Sequence, residues 1–154
     1  MNRISGASSG AGVRMRLSTM WIFVLFNYVY CDVLSVMDPP LLRRALAGEI
    51  DGMHVTGAFF LAAAVLMEVP IAMVLLSRIL SDRANWRTNL VAGGFMAAVQ
   101  VITLIAGPRP AGYYIFFSVI EIGCTSLIAW YAWTWRVSSR RPVSELPASA
   151  ILSR

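Results

Sequence analysis

The stretch TGAFFLAAAVLMEVPIAMVLL, residues 56–76, decides the fold. Its 21 residues are almost all apolar, and about 20 such residues in a helix cross the hydrocarbon core of a bilayer. It carries one acid, Glu68, followed two positions later by Pro70. An ionisable group at that depth is costly and usually faces a bundle interior or a pathway, while proline removes a helical hydrogen bond. The stretch therefore predicts a transmembrane helix with an inward-facing Glu68 and a flex point at Pro70.

Three further apolar runs have comparable length, at residues 17–37, 90–106 and 113–135. The chain is 58% hydrophobic, above the level of about 45–50% that is typical of a soluble domain. The four spans indicate one all-α membrane domain, an antiparallel four-transmembrane-helix bundle over residues 17–136. Residues 1–16, rich in Gly, Ser and Ala, are predicted to be a disordered tail, and residues 137–154 a mobile one.

All 13 basic residues are arginine, and they are unevenly distributed about the spans. Ten lie in the two tails and in the connection between the second and third spans, whereas three lie in the other two connections. Cytoplasmic loops carry the excess of basic residues. The distribution therefore predicts that both termini are cytoplasmic in a multi-pass protein of the cell inner membrane, and it makes nucleic-acid binding unnecessary as an explanation of the basic charge.

Polar side chains recur along one face of each span. Asp32 in the first span and Glu121 in the fourth join Glu68 as acids, and helical periodicity places each on a face that is otherwise small or polar. The three acids are candidate proton- or cation-binding groups. Their candidate orienting partners are Asn27, Tyr28, Gln100 and Thr125.

No arginine lies in the central turns beside these acids. Because an ionised carboxylate is costly in a low dielectric, either some of the three are protonated at neutral pH or a cation lies among them. Both situations occur in proton relays and cation sites. A structural alternative is that protonated acids hydrogen-bond to neighbouring helices and fix their register.

Few residues indicate contact with the membrane–water interface or with a ligand. Tryptophan is enriched at membrane–water interfaces, and four tryptophans at the ends of spans are predicted to be such anchors: Trp21, Trp86, Trp133 and Trp135. The connection at residues 38–55 fits either a short amphipathic helix on the outer surface or a solvated loop. The single His54 and two cysteines offer no metal-ligand spacing, so we expect no metal and no cofactor.

Several motifs together resemble a known family. They are LSTMWIF at residues 17–23, NYVYCD at 27–32, MEVPIAM at 67–73, YYIFF at 113–117 with Ile120-Glu121, and WYAW at 130–133. This pattern is similar to a bacterial four-helix membrane family catalogued only as a domain of unknown function. The resemblance covers residues 17–136 and implies a bacterial inner-membrane protein. In size and topology the chain also resembles, more weakly, the DoxX-like small membrane proteins.

The sequence leaves three functions open. The first is proton- or cation-coupled transport through the buried acids, by a homo-oligomer because one four-helix bundle is small for a full transport path. The second is a membrane-embedded enzyme or redox partner acting on a lipid-soluble substrate such as a quinone. The third is an accessory subunit of a larger membrane complex. Membrane lipids are partners in all three.

Overall fold

The computed structural model describes residues 3–50, 53–54, 56–106 and 110–138, with side chains from residue 10 to residue 135 of these ranges except that of Met53. Helix α1 spans Arg3–Met37, and a short α2 spans Pro39–Leu46. Two strands follow, β1 at Glu49–Ile50 and β2 at Met53–His54. The remaining helices are α3 at Gly57–Ile79, α4 at Asp82–Ala106 and α5 at Gly112–Ser138.

The four long helices form the predicted antiparallel bundle. Helix α1 packs against α3 and α5, and α4 packs against α5 and α3, so the helices close a ring in the order α1, α3, α4, α5. All four are long and apolar enough to cross a membrane, over Gly10–Met37, Gly57–Ile79, Asp82–Ala106 and Gly112–Trp135. The fold class predicted from the sequence is confirmed.

Helix α2 and a small β-hairpin cover one end of the bundle. Asp38 precedes two prolines at the start of α2, where a missing backbone N–H is tolerated. Gly48, with φ of 84°, follows α2 in the left-handed conformation that glycine adopts readily. Strands β1 and β2 then pair antiparallel. We call this the hairpin end, and the opposite end, where α1 begins and α5 finishes, the termini end.

The helices are longer than the apolar runs from which they were predicted. Helix α1 begins at Arg3, so the predicted disorder of residues 1–16 is wrong for most of that segment. Adding a residue to an existing helix is much easier than nucleating one, and Arg14 on α1 is paired with Asp82 on α4, which holds this extension to the bundle. The mobile tail predicted at residues 137–154 lies almost wholly outside the described residues.

The apolar core lies between α1 and its neighbours, towards the termini end. Leu17, Trp21, Val24 and Tyr28 follow one another at three- or four-residue spacing on α1 and are buried, as expected for one helix face. Met73, Ala92, Met96 and Ile128 complete this core.

Helices α4 and α5 approach closely at Gly93. A Cβ atom at this position would lie 2.9 Å from the backbone oxygen of Thr125 and 3.2 Å from the backbone nitrogen of Ala129. Only glycine allows the two backbones to come this close, as small residues do at helix interfaces in membranes.

Candidate functional site

A cavity of about 520 Å³ lies at the hairpin end of the bundle, in contact with α2. Ligand sites usually enclose about 300–1,000 Å³. All four long helices and α2 contribute to the wall, which is largely apolar. Its polar and charged side chains are Asp32, Ser35, Asp38, Arg44, Thr103, Tyr113 and Tyr114, and its larger apolar ones are Val36, Leu41, Leu42, Ile50 and Phe60.

Two tyrosines on α5 position polar groups in this wall. The hydroxyl of Tyr113 donates to Asp38 Oδ2 at 3.3 Å, and the hydroxyl of Tyr114 donates to Thr103 Oγ1 at 3.2 Å. Asp38 is thereby tied to α5 although it lies at the start of α2. Asp32 is exposed in the wall, and its carboxylate makes no hydrogen bond in the described part of the chain.

Glu121 is buried in the interior of the bundle. Its side chain is 1% exposed. Among the described side chains, two buried oxygen atoms lack a hydrogen-bond partner, Glu121 Oε1 and Tyr28 Oη. Buried polar atoms in proteins nearly always have a partner, so these two are exceptional and require an explanation.

Of the three acids that the sequence predicts to lie together, two interact in the structure, Asp32 and Glu121. Glu121 on α5 interacts electrostatically with three groups on α1: Tyr28, Cys31 and Asp32. Asp32 also lines the cavity, so one of the groups that interact with Glu121 faces the cavity. Ser118, Glu121 and Thr125 on α5 are all buried, so they form a polar stripe on the inner face of this helix.

Glu68 is not part of this cluster. Its side chain is exposed on the outer surface of α3, so the prediction that it points at a neighbouring helix is wrong. Helix α3 packs through Pro70, Met73 and Ser77, which are buried. At about 100° per residue, Glu68 lies some 160° around the helix from Pro70, on the opposite side. The role of Pro70 as a flex point stays a prediction.

Three of the four predicted orienting partners hydrogen-bond to other groups, and the fourth, Tyr28, has an unpartnered hydroxyl. The Asn27 amide donates to the carbonyl of Phe23 in its own helix at 2.8 Å, and Thr125 Oγ1 donates to the backbone carbonyl of Glu121 at 2.7 Å. Gln100 Nε2 on α4 donates to Ser118 Oγ on α5 at 2.9 Å. Gln100 thus fixes the helix that carries Glu121, but no described hydrogen bond joins any of these residues to a side-chain carboxylate.

The strongest polar network lies near the termini end and was not predicted as a unit. Asn89 Oδ1 accepts from Trp21 Nε1 at 2.8 Å and from Ser77 Oγ at 3.1 Å. Asn85 Nδ2 donates to the carbonyl of Ser77 at 2.6 Å. All four residues are fully buried. We call Trp21, Ser77, Asn85 and Asn89 the asparagine network, and its sequence signal is the pair of asparagines four residues apart on α4.

The tryptophans predicted to be interface anchors differ in their surroundings. Trp21 is fully buried, so its prediction is wrong, because its indole N–H finds an acceptor inside the bundle at Asn89. Trp86 and Trp135 are half-buried and Trp133 is exposed, and the guanidinium of Arg87 lies 5.4 Å from the centre of the Trp86 ring.

Within the described ranges, no group of three or more His, Cys, Asp and Glu side chains could hold a metal ion. Cys31 and Cys124 are free thiols.

The fold and the buried polar groups define a multi-pass membrane protein built on a four-helix bundle, with a carboxyl in its interior and a cavity at one end. The chain belongs to the Family of unknown function (DUF6326), whose model matches residues 11–141. No curated protein and no solved structure matches it. The likeness to DoxX-like proteins has no support in these comparisons.

Proposed function

We propose that this protein handles protons, with Glu121 as the group that binds and releases them and the hairpin-end cavity as their route to it. The observation that carries the proposal is the burial of the Glu121 carboxyl with Oε1 unpartnered. A carboxylate held permanently ionised there would need a cation or several hydrogen bonds. The one ion pair among the described side chains joins Arg14 to Asp82, near the termini end.

The surroundings of Glu121 support proton exchange rather than static charge. Among the described residues, the titratable groups that interact with it are Tyr28, Cys31 and Asp32 on α1, and none of these is a cation. Asp32 is exposed in the cavity wall, so a proton reaching the cavity from water has an intermediate acceptor before Glu121. Intramembrane acids that face a water-filled cavity commonly form such relays.

The orientation follows the arginine distribution. We place both termini on the cytoplasmic side of an inner membrane, since the excess of arginine lies at the termini end. The cavity then faces the opposite side, and protons enter from there.

The first test is proton flux in liposomes that contain the purified protein and an internal pH indicator, driven by a potassium diffusion potential. We expect Glu121→Gln to reduce the flux at least about tenfold, to the level of protein-free liposomes, because the amide cannot bind and release a proton. Glu49→Gln is the matched control and is expected to keep the wild-type flux, since this acid is exposed on β1 and does not line the cavity.

If the wild type shows no proton flux, an infrared titration can follow the protonation of Glu121 directly. A C=O band of a protonated carboxyl should lose intensity reversibly as the pH is raised in the wild type, and this band should be absent from Glu121→Gln. A Glu121 band that does not respond to pH would contradict the proposal, as would equal flux in the wild type and the Glu121 variant.

We propose in addition that two copies associate through the face of α3 that carries Glu68. A charged residue exposed to lipid at the centre of a span costs about 2.5–3.5 kcal/mol. A two-fold axis beside α3 would bring the two Glu68 side chains together and withdraw both from lipid. Ala64, one turn away and exposed on the same helix, leaves room for a close approach.

Cysteine cross-linking in membranes tests this association. In a background where Cys31 and Cys124 are alanine, Ala64→Cys should form a disulfide-linked dimer on mild oxidation. Ala98→Cys is the control, because Ala98 is exposed on α4 at an equivalent distance from the middle of its span. Equal cross-linking at both positions would show random collision and not a specific interface.

A further inference from the structure

We propose that the hairpin-end cavity binds an amphipathic organic cation, a molecule with one ammonium-type charge on an apolar body. This cation would be the ligand of the proposed proton-handling function. Only the coupling between ligand binding and proton binding rests on that function. The binding itself follows from the shape, charge and lining of the cavity.

The charges of the wall favour a cation. Asp32 and Asp38 contribute two carboxylates and Arg44 one guanidinium, so acidic groups outnumber basic ones among the described lining residues. Arg44 forms no ion pair with either aspartate within the described part of the chain. Both carboxylates therefore remain available to a ligand, and the Tyr113 hydroxyl holds Asp38 in place.

The rest of the wall fits an apolar body. Leu41 and Leu42 on α2, Ile50 on β1 and Phe60 on α3 present apolar surface to the cavity. The rings of Tyr113 and Tyr114 also line it, and aromatic faces attract cations. A small inorganic cation would leave this surface in contact with water, whereas an amphipathic organic cation covers it and contributes apolar burial to the affinity.

The volume agrees with a single ligand of this kind. A cavity of about 520 Å³ is in the middle of the range for drug-sized ligands and too small for a two-chain phospholipid. A neutral lipid-soluble compound such as a quinone could enter the apolar part, but it would gain nothing from Asp32 and Asp38.

The test is equilibrium binding of radiolabelled tetraphenylphosphonium to the full-length protein in nanodiscs. Binding is measured without flux, so this inference and the proposed function can fail separately. We expect saturable binding to the wild type, about tenfold weaker binding to Asp32→Asn and tighter binding to Arg44→Gln. Glu49→Gln removes a charge at the same end without lining the cavity, and it should bind as the wild type does.

The opposite signs expected for Asp32→Asn and Arg44→Gln separate charge recognition from damage to the fold, since damage would weaken binding in both. Absence of saturable binding to the wild type would overturn the inference. So would equal losses in Asp32→Asn and Glu49→Gln, or displacement of the probe by a neutral quinone or an anionic amphiphile as effectively as by an alkylammonium of similar size.

Discussion

Gly93→Ala is expected to lower the free energy of unfolding by about 1–3 kcal/mol, the usual cost of overpacking a tight interface. The added Cβ would lie 2.9 Å from the backbone oxygen of Thr125, and a backbone atom in a helix cannot move aside alone. Helices α4 and α5 would have to separate along their contact, and the hydrogen bond from Gln100 to Ser118 lies within the same interface.

Gly94→Ala provides the control, since nothing lies within 4 Å of the Cβ that it would add. Alanine is favoured over glycine inside a helix by about 0.5–1 kcal/mol, so this variant should be unchanged or slightly more stable. The opposite signs can be measured by unfolding in mixed micelles with increasing dodecyl sulfate, followed by circular dichroism. Two variants of equal stability would show that α4 and α5 do not approach as closely as described.

Asn89→Ala should destabilise the bundle by at least about 2 kcal/mol. Its side-chain oxygen accepts from both Trp21 and Ser77, and each buried donor left unpaired costs about 1–3 kcal/mol. This loss exceeds the average of about 0.6 kcal/mol for an interhelical hydrogen bond in a membrane protein, because two donors on two other helices lose one acceptor.

Asn27→Ala is the matched control for Asn89→Ala. The Asn27 amide donates only to a carbonyl of its own helix in the described structure, so its loss should change stability by less than about 0.5 kcal/mol. The same unfolding titration compares the two variants, and tryptophan fluorescence reports separately on Trp21. An Asn89 variant as stable as the Asn27 variant would mean that the asparagine network contributes little to the fold.

The contrast between Glu121 and Glu68 shows what the sequence could predict of the site. The fourth span alternates bulky apolar residues with Ser118, Glu121 and Thr125, and this pattern assigns a buried face by periodicity alone. The second span is apolar all round, so no such face can be assigned from it. The small residues near Glu68 predict that this face of the helix packs against a neighbour. In the structure, the face with Met73 and Ser77 is buried instead.

The cavity and the asparagine network depend on contacts distant in the chain. The cavity depends on the hydrogen bond from Tyr113 on α5 to Asp38, the residue that precedes α2, and no local pattern shows that two such residues meet. Trp21 is predicted to lie at the membrane interface because it is near the start of an apolar run, where interface tryptophans are common. Its buried acceptor is Asn89, 68 residues away in the chain. The spans themselves were predictable because length and apolarity are local properties.

The asparagine network closes the bundle on the side away from the cavity. Leu17, Trp21 and Ile128 are fully buried around it, so a proton path that continued from the cavity to the termini end would require Trp21 on α1 to separate from Asn89 on α4. The hydrogen bonds that stabilise the fold would then also oppose the opening of that path, and a variant that weakens them would exchange stability for access.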